Sequence, residues 1–516
     1  MQVSPKSNGK IEPRFLLMYS ALQFAPNDSV KPDGSLSLPY VGGALRDANF
    51  EVQILDASVG NDRDDLRDSF HSPQSLPNGL IRVGISKERI ASEIANYDVI
   101  GVSSIFTTQT NMVLDLIRFI KEVDPNKLVI SGGVNARYLA HRFFESGADI
   151  ICLSEAEKTI VKIGNVLRSG SRDFSRISGI AFKNKEGQVI FNNSQDITID
   201  LDQLPIPAWD LLPTNKYWDI SRPHGGDFPP DMRIQYASLM TSRGCPFACS
   251  YCHISKEIEG SRAGAVGDLR LKSLDRVMAE IDILKGMGTE YVFLEDDSLL
   301  AKKQRAIEIF QALKGSGLRL IDVNGVNIVH LSKNVGGGKI VIDSELLEAM
   351  ADSGFEKISL PFESGTQRII DKYASRKWRI DKLDTVDLIH TMRDLGITAL
   401  GNYTIGYPDE TFDEMMETIM LAKRHVDEGL AAASFFVIVP FPGTTLYDLA
   451  ISEGHLSADF NPDDMRWTKS IFKNTPVSAD TLEHIRTMAW KLINQPQFVQ
   501  SKETTGFASL TADSKA

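Results

Sequence analysis

The segment Thr241-Ser-Arg-Gly-Cys245-Pro-Phe-Ala-Cys249-Ser-Tyr-Cys252 decides how the rest of the chain is read. Its three cysteines, spaced C-x3-C-x2-C, follow a short strand-like run, ASLMTSR (237–243). Three thiolates on one loop can face a single cluster, and soft sulfur donors select iron–sulfur or zinc. A closed structural zinc site needs a fourth ligand. His253 adjoins Cys252, which makes joint ligation awkward, and Cys152, the remaining cysteine, lies in a different part of the chain. The set points to a [4Fe–4S] cluster whose fourth iron stays open. A zinc loop within a binding protein is the alternative.

Downstream, apolar strand-like runs alternate with helical segments at EYVFLEDD (290–297), RLIDVNGVNIV (319–329), KISLPFESG (357–365), TALGNYTIGYPDET (398–411) and ASFFVIVPFPGT (433–444). With the cysteine strand these make six. Polar residues gather at their carboxyl ends, where the active residues of barrel folds cluster. Upstream, RFLLMYS (14–20), EVQILDAS (51–58), DVIGVSSI (98–105), KLVISGG (127–133) and ADIICLSE (148–155) alternate with helical stretches. One such stretch is ARYLAHRFFESG (136–147), read as a single helix. Residues 59–85 read as irregular. This pattern predicts a parallel sheet covered on both faces, with ligands beyond the strands' carboxyl ends. Those ends carry Tyr19, Ser20, Asp56, Ser103, Ser104, Gly132, Gly133 and Glu155, and the small residues leave room for a bulky group near the backbone. The absence of G-x-G-x-x-G after the first strand argues against a dinucleotide. Cys152 reads as a small core residue.

Composition narrows the function classes. Of 516 residues, 56 are Lys or Arg and 68 Asp or Glu, a net charge of −12. An acidic chain without a long basic run is poorly suited to nucleic-acid binding. Four cysteines make no disulfide scaffold. The uncharged stretch Gly429–Gly443 falls short of the about 20 residues of a membrane helix and holds two prolines. Lys6, Lys10 and Arg14 before FLLMYSALQFA imitate a signal peptide, but a convincing cleavage site is missing, so a cytoplasmic protein is expected.

C-x3-C-x2-C with Tyr251 before the last cysteine resembles the radical S-adenosylmethionine (SAM) superfamily. The upstream domain, the linker LDQLPIPAWDLLP (201–213), ILDA, SGG, FESGTQRII and IGYPDET extend this to the cobalamin (B12)-binding class, over residues 14–447. The resemblance implies an α/β chain: a doubly wound, Rossmann-like cobalamin domain (14–170), a linker with a hairpin (171–235), a partial (β/α)6 radical SAM barrel (236–447), and a helical C-terminal region with a polar tail (448–516), after an N-terminal tail (1–13). Cys245, Cys249 and Cys252 would hold the cluster. Tyr251 would lie near the SAM adenine; Glu295, Asp296 and Asp297, in place of a G-G-E motif, would face its amino group; Glu363 and Ser364 would meet its ribose. Pro361 stands where relatives often have Gly, and Ser154-Glu155-Ala156-Glu157 stands for G-E-G-E.

None of the nine histidines has Asp two residues before it, so a cobalt-ligating D-x-H-x-x-G is missing, and only His71 and His141 fall in the first domain. The expectation is a methyltransferase acting on an unactivated carbon of a small molecule, with a non-methylating radical cyclisation, rearrangement or oxidation as the alternative. Its cofactors would be a [4Fe–4S] cluster, SAM and cobalamin, and its electron donor an external flavodoxin- or ferredoxin-type protein. Met465, Trp467 and Trp490 in the C-terminal region could line a substrate cavity.

Overall fold

The computed structural model describes residues 12–504 apart from 27, 29, 33, 195–196, 224–227 and 229–231. The polar N-terminal stretch 1–11, the tail beyond 504 and part of the loop before the cysteine strand therefore lie outside the described residues.

The first five strands, Phe15–Tyr19, Val52–Asp56, Val99–Ser103, Leu128–Gly132 and Ile150–Cys152, are parallel and lie in the spatial order second, first, third, fourth, fifth. Their alternation explains the two-sided cover. Leu16 and Met18 pack with Ile100, Val102 and Val129 on one face, while Phe15, Leu17 and Tyr19 pack with Ile54, Val99 and Ile130 on the other. A strand with period-two side chains that are apolar on both faces is stable only between two helical layers. In this order the chain direction reverses between the first and third strands, which opens a crevice at their carboxyl ends.

Tyr236–Leu239, Tyr291–Leu294, Arg319–Asp322, Phe355–Glu363, Thr398–Ile405 and Ala432–Val437 form a second sheet, entirely parallel and in sequence order. Its two outer strands do not pair with each other, so the wall stays open, as in a partial barrel. The linker packs into the joint between the domains. Trp209 is buried and donates its indole N–H to Ser238 O (3.1 Å), Trp218 does the same to Tyr236 O (2.8 Å), and Ala208 N reaches Pro39 O (2.8 Å).

Two local readings differ from the sequence expectation, and the expected hairpin is present. Residues 59–85 include strands Gln74–Ser75 and Ile81–Val83, which join Leu22–Phe24 in a small sheet; runs of two or three residues are too short to show a period. The helix expected over 136–147 is two, Val134–Tyr138 and Ala140–Glu145, broken at Leu139 (φ −108°). The hairpin Ile180–Lys183/Val189–Asn192 extends the first sheet as antiparallel edge strands.

Candidate active site

The cysteine loop is held by backbone contacts on every side. Gly244 has φ +81°, and a Cβ there would fall 2.2 Å from Asp268 O, so only glycine fits before Cys245. Cys245 N donates to Gly267 O (3.0 Å), Ala248 N to Ser375 Oγ (3.0 Å) and Ser250 N to Tyr373 O (2.8 Å). Cys249 is buried and Cys245 and Cys252 are half-buried. Burial pushes all three thiols up, Cys252 to about 12, and Lys377 counters it at Cys245 and Cys249. The thiols lie near enough to influence one another's ionisation. Yet among the described residues no three Cys, His, Asp or Glu side chains converge on one ion. Three thiolates on one loop are the donor set that an iron–sulfur cluster takes.

The three acidic residues after the second barrel strand diverge in role. Asp296 is buried and accepts from Thr241 N (3.0 Å), Thr241 Oγ1 (2.8 Å) and Ser242 Oγ, so its carboxylate pins the strand end before the cysteine loop. Asp297 accepts from Gly244 N (2.9 Å) and faces the cavity described below, as does Glu295. Glu363 takes φ +65° at the end of the fourth barrel strand. It pairs with the buried Lys377 (2.6 Å) and accepts from Thr404 Oγ1 (3.0 Å). Burial would raise its carboxyl, but Lys377 and the hydrogen bonds hold it below its ordinary value. Ser364 is fully buried with its hydroxyl on Thr418 Oγ1 (3.1 Å), behind the strand end. The hydroxyls of Tyr251 and Tyr407 are buried beside Glu363 and Cys249, which groups tyrosine, carboxylate and thiol at this strand end.

A cavity of about 420 Å³ lies between the carboxyl ends of the two sheets. Leu17, Gly101, Ile130, Cys152 and Ile160 give it an apolar lining from the first sheet and its helices, and Ser35, Ser37 and Ser103 add hydroxyls to that wall. Met240, Arg243, Gly244 and His253 face them from the barrel. Of the residues picked at the first sheet's strand ends, Ser103, Gly132, Gly133 and Glu155 line this cavity. Tyr19, Ser20, Ser104 and Asp56 do not. Tyr19 donates to Ser35 O, Ser104 accepts from Asn135 Nδ2 (2.9 Å), Asp56 accepts from Ser58 Oγ (2.6 Å) and Tyr217 Oη (2.7 Å), and Ser20 is simply buried. Neither His71 nor His141 lines the cavity; its histidine is His253, whose Nδ1 sits 3.0 Å from Glu257.

Buried ion pairs stitch the cavity walls together. Arg243, two residues before the first cluster cysteine, meets Glu155 (3.0 Å) and Glu157 (2.6 Å), and Arg270 grips Glu155 with both terminal nitrogens (2.8 Å each). Arg137, just past the Gly132–Gly133 turn, pairs with Glu257. Lys377 and Tyr407 were not singled out in the sequence; nor were these arginines. Arg243 lies inside the quoted cysteine segment, and its position there was the available signal.

Glu295 has no ion pair among the described residues, and burial pushes its carboxyl up to about 7. Its folded form holds a proton that the unfolded chain releases near 4.5, so this residue subtracts stability as pH rises from about 4.5 to 7. Glu295→Gln is therefore expected to raise the melting temperature more at pH 8 than at pH 5. A uniform shift in thermal unfolding followed at both pH values would refute this.

The donor set fits a cluster, and the cavity's mixture of apolar side chains and hydroxyls fits a cofactor that has an apolar body and hydrogen-bonding groups. Comparisons with known proteins agree. The Radical SAM superfamily model matches residues 239–422, and the B12 binding domain model matches residues 33–163. A cytidylyl-2-hydroxyethylphosphonate methyltransferase of Streptomyces wedmorensis is 26% identical over 491 residues, which is 88% of this chain and 85% of that one. An anaerobic magnesium-protoporphyrin IX monomethyl ester cyclase of a Synechocystis species is 30% identical over 472 residues, 91% of this chain and 81% of that one. The solved structure of the radical SAM methyltransferase TsrM from Kitasatospora setae, with tryptophan and a SAM analogue bound, shares the fold. It has a TM-score of 0.60 and 16% identity, and the match covers 85% of this chain and 76% of that one. The chain belongs to the cobalamin-binding radical SAM family. Among the described residues no helix is long and apolar enough to cross a membrane.

Proposed function

We propose that this protein is a cobalamin-dependent radical SAM methyltransferase of the cytoplasm, adding a methyl group to an unactivated carbon of a small biosynthetic molecule. The observation that carries this reading is the cavity shared by the two domains, with Gly244 and His253, which flank the cysteine segment, on one wall and the glycine turn of the first sheet on the other. When bound, the cluster and SAM supply a carbon radical that abstracts hydrogen, and cobalamin supplies the methyl group.

The chain's own residues then have defined tasks. Cys245, Cys249 and Cys252 hold the cluster. Asp297 and Glu295 offer carboxylates to an ammonium, as charge-assisted hydrogen bonding requires, and Tyr251, Tyr407 and Glu363 offer hydroxyls and a carboxylate to a nucleoside. The Lys377 ammonium keeps Glu363 ionised as an acceptor in a site shut off from water. The apolar lining and the ion-paired walls limit the water that reaches a reactive carbon centre, which protects it from side reactions. An external flavodoxin- or ferredoxin-type protein delivers the electron.

Met465 is buried in the core beside the first sheet and Trp490 packs against the barrel core, which leaves Trp467, half-exposed against Phe436 and Phe441, to meet a substrate. The relative that is a cyclase keeps a second reading in view, a radical reaction without methyl transfer. Anaerobic protein loaded with iron, sulfide and hydroxocobalamin, incubated with SAM, a reductant and candidate substrates, is expected to yield S-adenosylhomocysteine and a methylated product. Deoxyadenosine without S-adenosylhomocysteine would favour the second reading.

A further inference from the structure

The cysteine loop does not lie wholly inside the molecule. Pro246 and Ala248, between the first two cluster cysteines, are exposed, while Cys249 behind them is buried. This is where the loop itself meets solvent. One flank is the turn after Tyr373: Ser375 Oγ accepts from Ala248 N, and Tyr373 O accepts from Ser250 N. Ser375 and Arg376 both take left-handed conformations, φ +59° and +52°. Two consecutive non-glycine residues in this region are strained, and such strain persists where the surroundings enforce it, often at functional sites.

The turn is rich in cations. Between Arg368 and Lys382 lie Arg368, Lys372, Arg376, Lys377, Arg379 and Lys382 against Asp371 and Asp381, in a chain whose net charge is −12. Asp409 and Glu414 answer Arg368 and Lys372, Asp381 answers Arg379, and Glu363 answers Lys377. Arg376 is exposed and enters no ion pair among the described residues. On the other flank Phe247 rests against His330 (5.5 Å between ring centroids). Two residues later begins the hairpin Ser332–Asn334/Ile340–Ile342, whose Lys333 pairs with Asp343 (3.3 Å) and whose Lys339 is exposed.

We propose that this exposed apex of the cysteine loop, with Arg376 at its rim, is the docking face for a small acidic one-electron carrier protein. The inference rests on the reading of the three cysteines as cluster ligands. One electron leaves the reduced carrier and enters the cluster; no bond is made or broken. A carrier must bring its own redox group close to the buried centre, and this face puts only the loop between them. An unpaired cation beside it attracts an acidic partner and orients it, an effect on association rate that salt screens.

The test compares the reduction of the cluster, followed by its absorbance, by a photochemically reduced bacterial flavodoxin and by dithionite. The proteins are the wild type, Arg376→Gln and Arg376→Glu. At low salt the flavodoxin rate is expected to fall about tenfold in Arg376→Glu and by less in Arg376→Gln, and the wild-type rate to fall as salt is added. Dithionite rates stay equal in all three, which also shows that the variants are intact. Unchanged flavodoxin rates beside normal dithionite reduction would overturn the docking face alone. A wild-type protein that dithionite cannot reduce would overturn the cluster reading and the docking face together.

Discussion

Cys249→Ala, purified without oxygen and reconstituted with iron and sulfide, is expected to hold almost none of the about four irons per chain of the wild type. It should form neither deoxyadenosine nor S-adenosylhomocysteine from SAM. Cys249 is the most enclosed of the three loop cysteines, and the remaining one, Cys152, stands on a strand of the first sheet, away from the loop. The loop should nonetheless keep its shape in the variant. Its fixing bonds, from Ala248 N to Ser375, from Ser250 N to Tyr373 and from Cys245 N to Gly267, are made by the backbone. Thermal unfolding of the metal-free wild type and variant should therefore nearly coincide, which separates loss of the cluster from loss of the fold. Cys152→Ala is the internal control. Its thiol is pushed up to about 12 by burial and acts as a small apolar group, so this variant should retain iron in full. Stoichiometric zinc in the wild type, or iron retained in Cys249→Ala, would contradict the assignment of the three cysteines.

The strand-and-helix order was legible because each strand is long enough, and apolar enough on both faces, to announce itself. Phe15–Tyr19 has five buried residues out of five, and the six barrel strands fall where their apolar runs stand. The small sheet through Leu22–Phe24 was illegible, since three residues carry no period. At the site, the cysteine spacing was local and could be read directly. The direction of a carboxylate could not. Glu295, Asp296 and Asp297 are adjacent and alike in sequence, yet Asp296 is bound to Thr241 and Ser242 while the other two face the cavity. Asp56 and Glu155 both end strands of the first sheet, but Tyr217 from the linker claims Asp56, and Arg243 and Arg270 from the barrel claim Glu155. These partners are 161, 88 and 115 residues away in sequence, so the roles were fixed by tertiary pairing that no local pattern records.

The same long-range pairs make the second large effect. Arg137 and Glu257 are 7% and 5% exposed and join the helix after the glycine turn to the segment after Cys252. Burial alone would raise the Glu257 carboxyl, but the Arg137 charge and the His253 contact outweigh it and hold it at about 2. Removing one member leaves the other buried and uncompensated, a loss of about 3–5 kcal/mol, whereas replacing both by apolar residues of similar volume is far milder. Arg137→Met is therefore expected to be strongly destabilised and Arg137→Met/Glu257→Met to regain much of the loss. Because the folded carboxyl ionises more readily than the unfolded one, the pair's stabilisation is complete above about pH 4.5 and disappears as pH falls toward 2. The acid limb of the unfolding profile should accordingly flatten in the double variant. A merely structural pair would leave ligand binding alone once the fold is restored. This one joins the segment after Cys252 to the helix after the glycine turn, and both residues line the cavity, so the double variant should still bind hydroxocobalamin about tenfold more weakly than wild type, as expected for a coupling of about 1.4 kcal/mol. Equilibrium dialysis of hydroxocobalamin against the refolded double variant decides the point: wild-type affinity would reduce Arg137 and Glu257 to a stabilising contact, and weakened affinity with intact thermal stability would show that the two domains hold their cofactors as one unit.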